Sequence, residues 1–502
     1  MAAKTPVSEP ATPPLSRPKG RIDYRWIVLS VTTIGSLMAA IDGTIVILGL
    51  PAMMTELHAN LVSIIWVIIA YLLMSTVLLL VLGRIADLVG RVRLYNLGFL
   101  IFTIGSLFCG LSGSAAELIA SRVLQGGGAA LMLVNSVAII TEAFPPEQRG
   151  RALSANSVTF AAGGVIGPIL GGFILTIASW RWIFFVNLPI GIAGTVWGYF
   201  ALKELATKRT RQPLDWAGAI AFSLGLAALL GAMTAGIQYN YNSPQVLVLV
   251  IIALSAFLFF WWHERTVPSP LIDLGLLANR AYGFAVLSAM VQGLAIFAVN
   301  FLVIFYLIGV RGHNPLTAAV LLIPLPIMLA LAAPVGGWLA DRRGARLPAT
   351  LGLLIQAAAL LLLTRLSATT SYAGIALPLA LMGLGGGLFF APNTSAAMNA
   401  APRQSLGVAS ATLSTMRQTG MVTSFALALL VAASSIPRDI VQQLFVGTNV
   451  VLGSDITSAF IGGMHNAFLV SMLLCLVAAL LSFLRGQRPT SGARVEHSGS
   501  KK

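Results

Sequence analysis

Charge is what this chain has least of. Only 9% of its 502 residues are charged, and Asp and Glu together number sixteen. A water-soluble domain carries about 25% charged residues, so there is too little polar surface here to cover a soluble particle. Both cysteines, Cys109 and Cys475, fall in apolar runs and offer neither a disulfide framework nor a metal site. The five histidines (His58, His263, His313, His465 and His497) are scattered and the acids do not cluster. That argues against a membrane-embedded transferase, which needs a His–acid pair, grouped carboxylates or a metal. A GxxxxGK[ST] phosphate loop is also lacking, which leaves ATP-driven transport without support. No enzymatic activity, cofactor or metal is expected.

Apolar sequence, by contrast, is abundant: 57% of residues are hydrophobic and the mean hydropathy is +0.89. Runs of about 20 apolar residues, enough to cross a bilayer, can be placed fourteen times between residues 26 and 484. The formal net charge of +15 follows orientation. With the N-terminus inside, 25 of the 31 Lys and Arg residues lie in the tails and inner loops. Arg181, Arg311, Arg365 and Arg438 fall outside, and Arg122 and Arg417 lie within spans. This is the positive-inside asymmetry, with the basic face meeting anionic lipid; no nucleic-acid partner is implied. A multi-pass protein of the bacterial cytoplasmic membrane with both termini inside is expected. Residues 1–25 and 485–502 read as disordered cytoplasmic tails.

The chain repeats itself. "GRIADLVGRVR" from Gly83 and "GWLADRRGARL" from Gly337 align Gly83 with Gly337, Ala86 with Ala340, Asp87 with Asp341 and Gly90 with Gly344, each pair 254 residues apart. Both copies join a second span to a third on the inner side. Duplicated six-span halves with the pathway between them are a common transporter construction. The expected division is a six-helix bundle over 26–203, a two-span insertion with its loops over 204–280, and a second six-helix bundle over 281–484.

These residues bring a family into view. "GRIADLVGR" resembles the loop signature of the major facilitator superfamily, "LIASRVLQGGGAA" (118–130) its span-four signature, and "GGVIGPILGG" (163–172) the span-five signature of its antiporters. "IDGTIVILGLP" (41–51) and "WRWIFFVNLPIG" (180–191) are similar to patterns of its fourteen-span drug:proton antiporter branch, the multidrug-resistance type. The resemblance implies an all-α membrane protein with the major facilitator fold, two six-helix bundles and two extra central spans. It also implies export of lipophilic, cationic small molecules in exchange for protons. Some members carry acids deep in the C-terminal half; this chain has none there.

Within this frame Asp42 stands out. An Asp at the centre of a spanning helix costs about 2.5–3.5 kcal/mol even on a lenient scale. Asp42 lies about eight residues from the outer end of its span and Arg122 about six from the outer end of span four, or ~12 and ~9 Å deep at 1.5 Å per residue. The depths match. In the resembling family both spans line the central cavity, so Asp42 and Arg122 are the proton-coupling candidates. The plainer reading is that each ties helices together. For cargo, Trp66, Tyr71, Gln125, Gln292, Asn300, Asn393, Arg417 and Gln418 are candidates, as apolar or amide groups suited to a mostly apolar cavity. Arg417 works against a purely cationic preference and keeps amphiphilic anions open. Gly163, Gly167, Pro168 and Gly171 are read as a gate against proton leak, or simply as close packing. Gly83, Arg84, Asp87, Gly90 and Arg91, with Asp341 and Gly344, suit a cytoplasmic latch or, more modestly, turns and caps. Partners expected are a small-molecule substrate, protons and membrane lipid, with a monomer as the working unit and room for an accessory protein. A carrier of another cargo, such as an amphiphilic lipid or metabolite, is the alternative.

Overall fold

In an apolar solvent every backbone polar group must be satisfied within the chain, which leaves helices as the natural solution for this composition. The computed structural model describes residues 23–204, 215–268, 270–402, 406–434 and 454–486, and among them there is no strand. The helices are α1 (Tyr24–Glu56), α2 (Leu61–Val89), α3 (Arg91–Leu111), α4 (Ala115–Ala143), α5 (Pro146–Ile177), α6 (Trp182–Phe185) and α7 (Asn187–Ala201). A hairpin of α8 (Trp216–Tyr239) and α9 (Pro244–Glu264) follows, then the short α10 (Leu274–Ala278). The second half holds α11 (Arg280–Phe305, prolonged by a π-helical turn to Val310), α12 (Pro315–Leu321), α13 (Pro324–Arg343), α14 (Arg346–Leu363), α15 (Tyr372–Ala400), α16 (Leu406–Ser434) and α17 (Ser454–Leu484).

Helix starts are written in short polar residues. Side chains of Asn60, Ser114, Asp215, Ser243 and Asn314 each accept a hydrogen bond from a backbone N–H in the first turn that follows. These are the donors a helix cannot satisfy internally. Pro244 and Pro315 then occupy the first helical position, where no N–H is needed.

Taking α6–α7, α11 with its extension, and α12–α13 as single units, twelve spans among the described residues are long and apolar enough to cross a membrane. Helices α5 and α16 stand where spans five and thirteen were expected. In the N-terminal bundle α1 packs on α5, α2 and α3 pack on α4, and α7 rests on α3 and α1. The second bundle pairs α11 with α16, α13 and α14 with α15, and α17 with α14 and α11. The halves meet along two seams, α5 against α12–α13 and α2 against α16. Helix α8 lies beside the second seam and touches both α2 and α16.

The sequence repeat is a structural repeat. Gly90 (φ +113°) and Gly344 (φ +81°) both adopt a left-handed backbone closing their helices, with N–H donors on Ala86 O (3.1 Å) and Ala340 O (2.9 Å). Only glycine holds that backbone without penalty. At Gly90 space matters too, because a Cβ would sit 2.7 Å from Glu204 Oε2. Glu204 caps α3 from 113 residues away, accepting from Arg91 N (2.9 Å) and Val92 N (3.1 Å). A carboxylate at a helix N-terminus also meets the positive end of its dipole. Side chains of Gly83, Arg84, Asp87 and Asp341 lie outside the described ones, so their part in a latch is untouched by this geometry. Arg91 does form an ion pair, with Glu142 at 2.5 Å.

Candidate functional site

The site is assembled from glycines first. Helix α4 carries the run Gly126–Gly127–Gly128. A Cβ on Gly126 would meet Tyr71 O of α2 at 2.5 Å, and one on Gly128 would collide with the backbone of Phe102 on α3. The absent side chains let α4 sink between α2 and α3. On α3, Gly105 does the same against the backbone of Gln125, where a Cβ would lie 2.7 Å from its N. Arg122 and Gln125 are thereby carried into the bundle interior and sealed there, at 1% and 0% exposure.

Asp42 meets them from α1, fully buried. Arg122 Nη1 donates to Asp42 Oδ2 at 2.6 Å, and Gln125 Nε2 donates to Asp42 Oδ1 at 2.8 Å. Asn187 Nδ2 supplies a third donor, to the same Oδ1 at 3.0 Å. Arg122 is held in turn: Nε donates to Val67 O (3.0 Å), Nη1 also reaches Gln125 Oε1 (2.7 Å), and its Cζ stands 4.1 Å from the Tyr71 ring centroid. A stacked, hydrogen-bonded guanidinium uses the planarity that distinguishes Arg from Lys. Three donors converge on a group that, ionised, can only accept.

Asn187 owes its position to a helix break. The helix is interrupted at the single residue Val186 between α6 and α7, although its backbone stays helical, so Asn187 opens α7 with Pro189 close behind. Helix α6 is pinned at its start, where Arg181 donates to Ser112 O (2.6 Å) and to Glu56 Oε1 (3.0 Å), and Trp180 Nε1 to Glu56 Oε2 (2.7 Å). Asn187 Nδ2 also reaches Ser106 Oγ at 3.1 Å, whereas its buried Oδ1 has no partner. Nothing in composition or spacing singled out Asn187. Its cue was its place in "WRWIFFVNLPIG", four residues before the close of a pattern already noted.

Several expected cavity residues stand elsewhere. Gln125 and Tyr71 belong to the Asp42 network and are sealed, because the glycine run draws α4 onto α2. Trp66 donates from Nε1 to Thr234 Oγ1 of α8 at 3.2 Å, so it fastens the central hairpin to the N-terminal bundle. Gln292 is buried against Gln356 of α14 (3.4 Å). Asn393 is buried between Ala285 O (2.9 Å), Ser288 Oγ (3.2 Å) and Arg485 Nη1 (2.8 Å). In the surroundings of Arg485, just past α17, burial and the nearby Arg346 push its guanidinium down to about 10. Asn300, Arg417 and Gln418 keep partial exposure and have no hydrogen-bond partner among the described residues.

The span-five glycines face α1 along one stripe. A Cβ on Gly163 would lie 2.6 Å from Ala40 Cβ, one on Gly171 2.8 Å from Ile45 Cγ1, and one on Gly167 would collide with Thr44 Oγ1. The stripe thus fixes the helix that carries Asp42. Gly167→Val is expected to destabilise the protein by about 1–3 kcal/mol, the usual range for overpacking, read from thermal unfolding in detergent. Gly164→Ala is the matched control, since nothing lies within 4 Å of its missing Cβ.

Two helical bundles joined by an inserted hairpin, with a sealed carboxylate–guanidinium pair inside one of them, define a membrane transporter. A profile of the Major Facilitator Superfamily matches residues 32–425. The chain belongs to that superfamily, and is a transporter rather than an enzyme. It is 30% identical over 458 residues to the riboflavin transporter RibZ of Clostridioides difficile, covering 91% of this chain and 97% of that one. It is 32% identical over 402 residues to the multidrug resistance protein Stp of Mycobacterium tuberculosis, covering 80% and 74%. Among solved structures, the crystal structure of the D-xylose–proton symporter superposes with a TM-score of 0.64 at 14% identity, covering 92% and 97%, and shares the fold.

Proposed function

We propose that the protein is a secondary exporter that exchanges lipophilic small molecules for protons by alternating access, with Asp42 carrying the proton and Arg122 as its counter-ion. The observation that supports this most is the network itself. A transmembrane acid is retained at a large penalty unless it does something, and this one is surrounded by groups able to serve both of its protonation states. Ionised, it takes three donors. On gaining a proton it needs an acceptor, and Asn187 Oδ1 is a buried acceptor beside it that has no donor. Rotation of that amide lets Asn187 donate to the carboxylate and accept from the acid. Protonation also frees Arg122 from its ion pair, which loosens α4 from α1 and gives the halves a reason to rock along their seams. In this reading α5 and α16 complete fourteen spans, and the cytoplasmic loops carry the latch.

The expectation of a cationic cargo rested on a carboxylate free to face it. Asp42 is instead fully engaged by donors of its own bundle, so we assign the cargo by its amphiphilic body. A riboflavin-like planar molecule and a lipophilic drug both fit that description, in keeping with the relatives RibZ, a riboflavin transporter, and Stp, a multidrug resistance protein.

The reading is tested in inside-out vesicles loaded acidic, with a pH-sensitive dye reporting the gradient. Riboflavin or ethidium added outside is expected to accelerate proton efflux only in vesicles containing the protein. Efflux indifferent to both compounds would contradict it. Asn187→Leu, which removes donor and acceptor together, is expected to slow exchange about tenfold, the equivalent of one hydrogen bond to a charged group. Wild-type exchange in that variant would take the amide out of the proton step.

A further inference from the structure

We infer that Arg417 anchors an anion-binding subsite in the transport pathway, and that the cargo carried there is an amphiphile bearing an acidic group such as a carboxylate or sulfonate. The inference deepens the proposed transport function and rests on it.

Arg417 lies eleven residues into α16, about 16 Å along the helix at 1.5 Å per residue, near the middle of a hydrocarbon layer about 30 Å thick. Its backbone is held rigidly. The missing side chain of Gly293 leaves room for Arg417 O, which a Cβ there would meet at 2.7 Å, and Gly420 one turn on abuts Met290 O of α11. Helix α16, which carries Arg417, also packs on α2 of the other half along one of the two seams.

The other interior arginines are fully employed. Arg122 has its carboxylate, a backbone carbonyl and an aromatic face. Arg485 is bonded to Asn393 and to Ala345 O. Arg417 is only half-buried, and its side chain has no hydrogen bond, ion pair or aromatic face among the described residues.

Among the described residues no carboxylate pairs with it. Between residues 281 and 484 the sequence has only three acids, Asp341, Asp439 and Asp455. Asp42, in the other half, has both oxygens occupied. An uncompensated cation at mid-depth is among the costliest things a membrane protein can hold, and a counter-charge that arrives with the cargo resolves the imbalance. The surroundings suit an amphiphile. Beyond Arg417, Phe425 of α16 packs edge-on against Phe297 and Phe301 of α11, with centroids 5.4 and 5.3 Å apart, so the helix pair that carries the arginine is held by apolar contacts. The amides of Asn300 and Gln418, also without partners, offer neutral donors.

The test uses three fluorophores that share one body: dansylglycine (carboxylate), its uncharged carboxamide, and the ammonium compound dansylcadaverine. Binding is measured to the full-length protein in phosphatidylcholine nanodiscs, where no proton gradient exists, so the outcome is independent of whether Asp42 exchanges protons. Wild type is expected to bind the carboxylate about tenfold more tightly than the carboxamide, as a charge-assisted contact should, and the ammonium most weakly. Arg417→Gln should bind carboxylate and carboxamide alike while keeping the wild-type affinity for the carboxamide, which also shows that the variant is folded. Arg417→Lys should retain part of the preference and serves if the glutamine variant does not fold. A wild type that binds no carboxylate or shows no preference for it, or a glutamine variant that keeps the preference, overturns the subsite. Nanodiscs with added phosphatidylglycerol identify the source of the anion. Unchanged affinity for dansylglycine assigns the site to a free amphiphile, and a marked loss assigns it to a lipid headgroup.

Discussion

Asp42→Asn is expected to abolish proton-coupled exchange, to background in inside-out vesicles, while the protein still reaches the membrane. Asparagine matches aspartate in shape but cannot exchange a proton, and it turns one acceptor into a donor facing Arg122, Gln125 and Asn187. The stability effect is separate and has a definite sign. Arg122 is left as a buried guanidinium without its carboxylate, and breaking one partner of a buried pair costs about 3–5 kcal/mol. A guanidinium does not give up its proton in this setting, so that deficit should be nearly independent of pH. Retained exchange in Asp42→Asn would reduce the residue to a helix tie.

Arg122→Met makes the complementary expectation. It strands the acid rather than the base, and an acid can escape by taking up a proton. Its deficit, again about 3–5 kcal/mol where Asp42 is forced to stay ionised, should therefore shrink as the pH falls, in contrast to Asp42→Asn. Exchange is also expected to fail, because an acid that stays protonated has nothing to release. The double variant Asp42→Asn, Arg122→Met should regain much of the stability lost in either single one. Residues in direct contact are where additivity breaks down, and replacing a whole buried pair is often tolerated. Thermal unfolding in detergent at two pH values, for all four proteins, checks both the asymmetry and the coupling. Equal, pH-independent losses that simply add would contradict an ion pair.

The matched depths of Asp42 and Arg122 were legible, and the family resemblance put their two spans on one cavity; the contact between them is the structure's addition. The loop repeat was equally plain, and its glycines adopt the same left-handed closure in both halves. What could not be read was set by distant parts of the chain. Gln125 and Tyr71 looked like cavity lining because they are polar or aromatic on an otherwise apolar stripe. Whether such a residue is sealed depends on how far α4 sinks between its neighbours, and that depends on glycines of two helices acting together. The contact of Trp66 with Thr234 could not be read, because the hairpin that supplies it comes about 150 residues later. Asn187 was missed because its value comes from the break before α7, and Glu204 because capping across 113 residues leaves no local trace.

The central claim is that Asp42 gives up its proton when cargo is taken. The most direct measurement is proton release on cargo binding: detergent-solubilised protein in a weakly buffered solution with a pH-indicator dye, titrated with riboflavin or dansylglycine. The account predicts about one proton released per cargo bound in wild type and none in Asp42→Asn, although the variant still binds. Cargo binding to wild type without proton release, or release undiminished in Asp42→Asn, would contradict it.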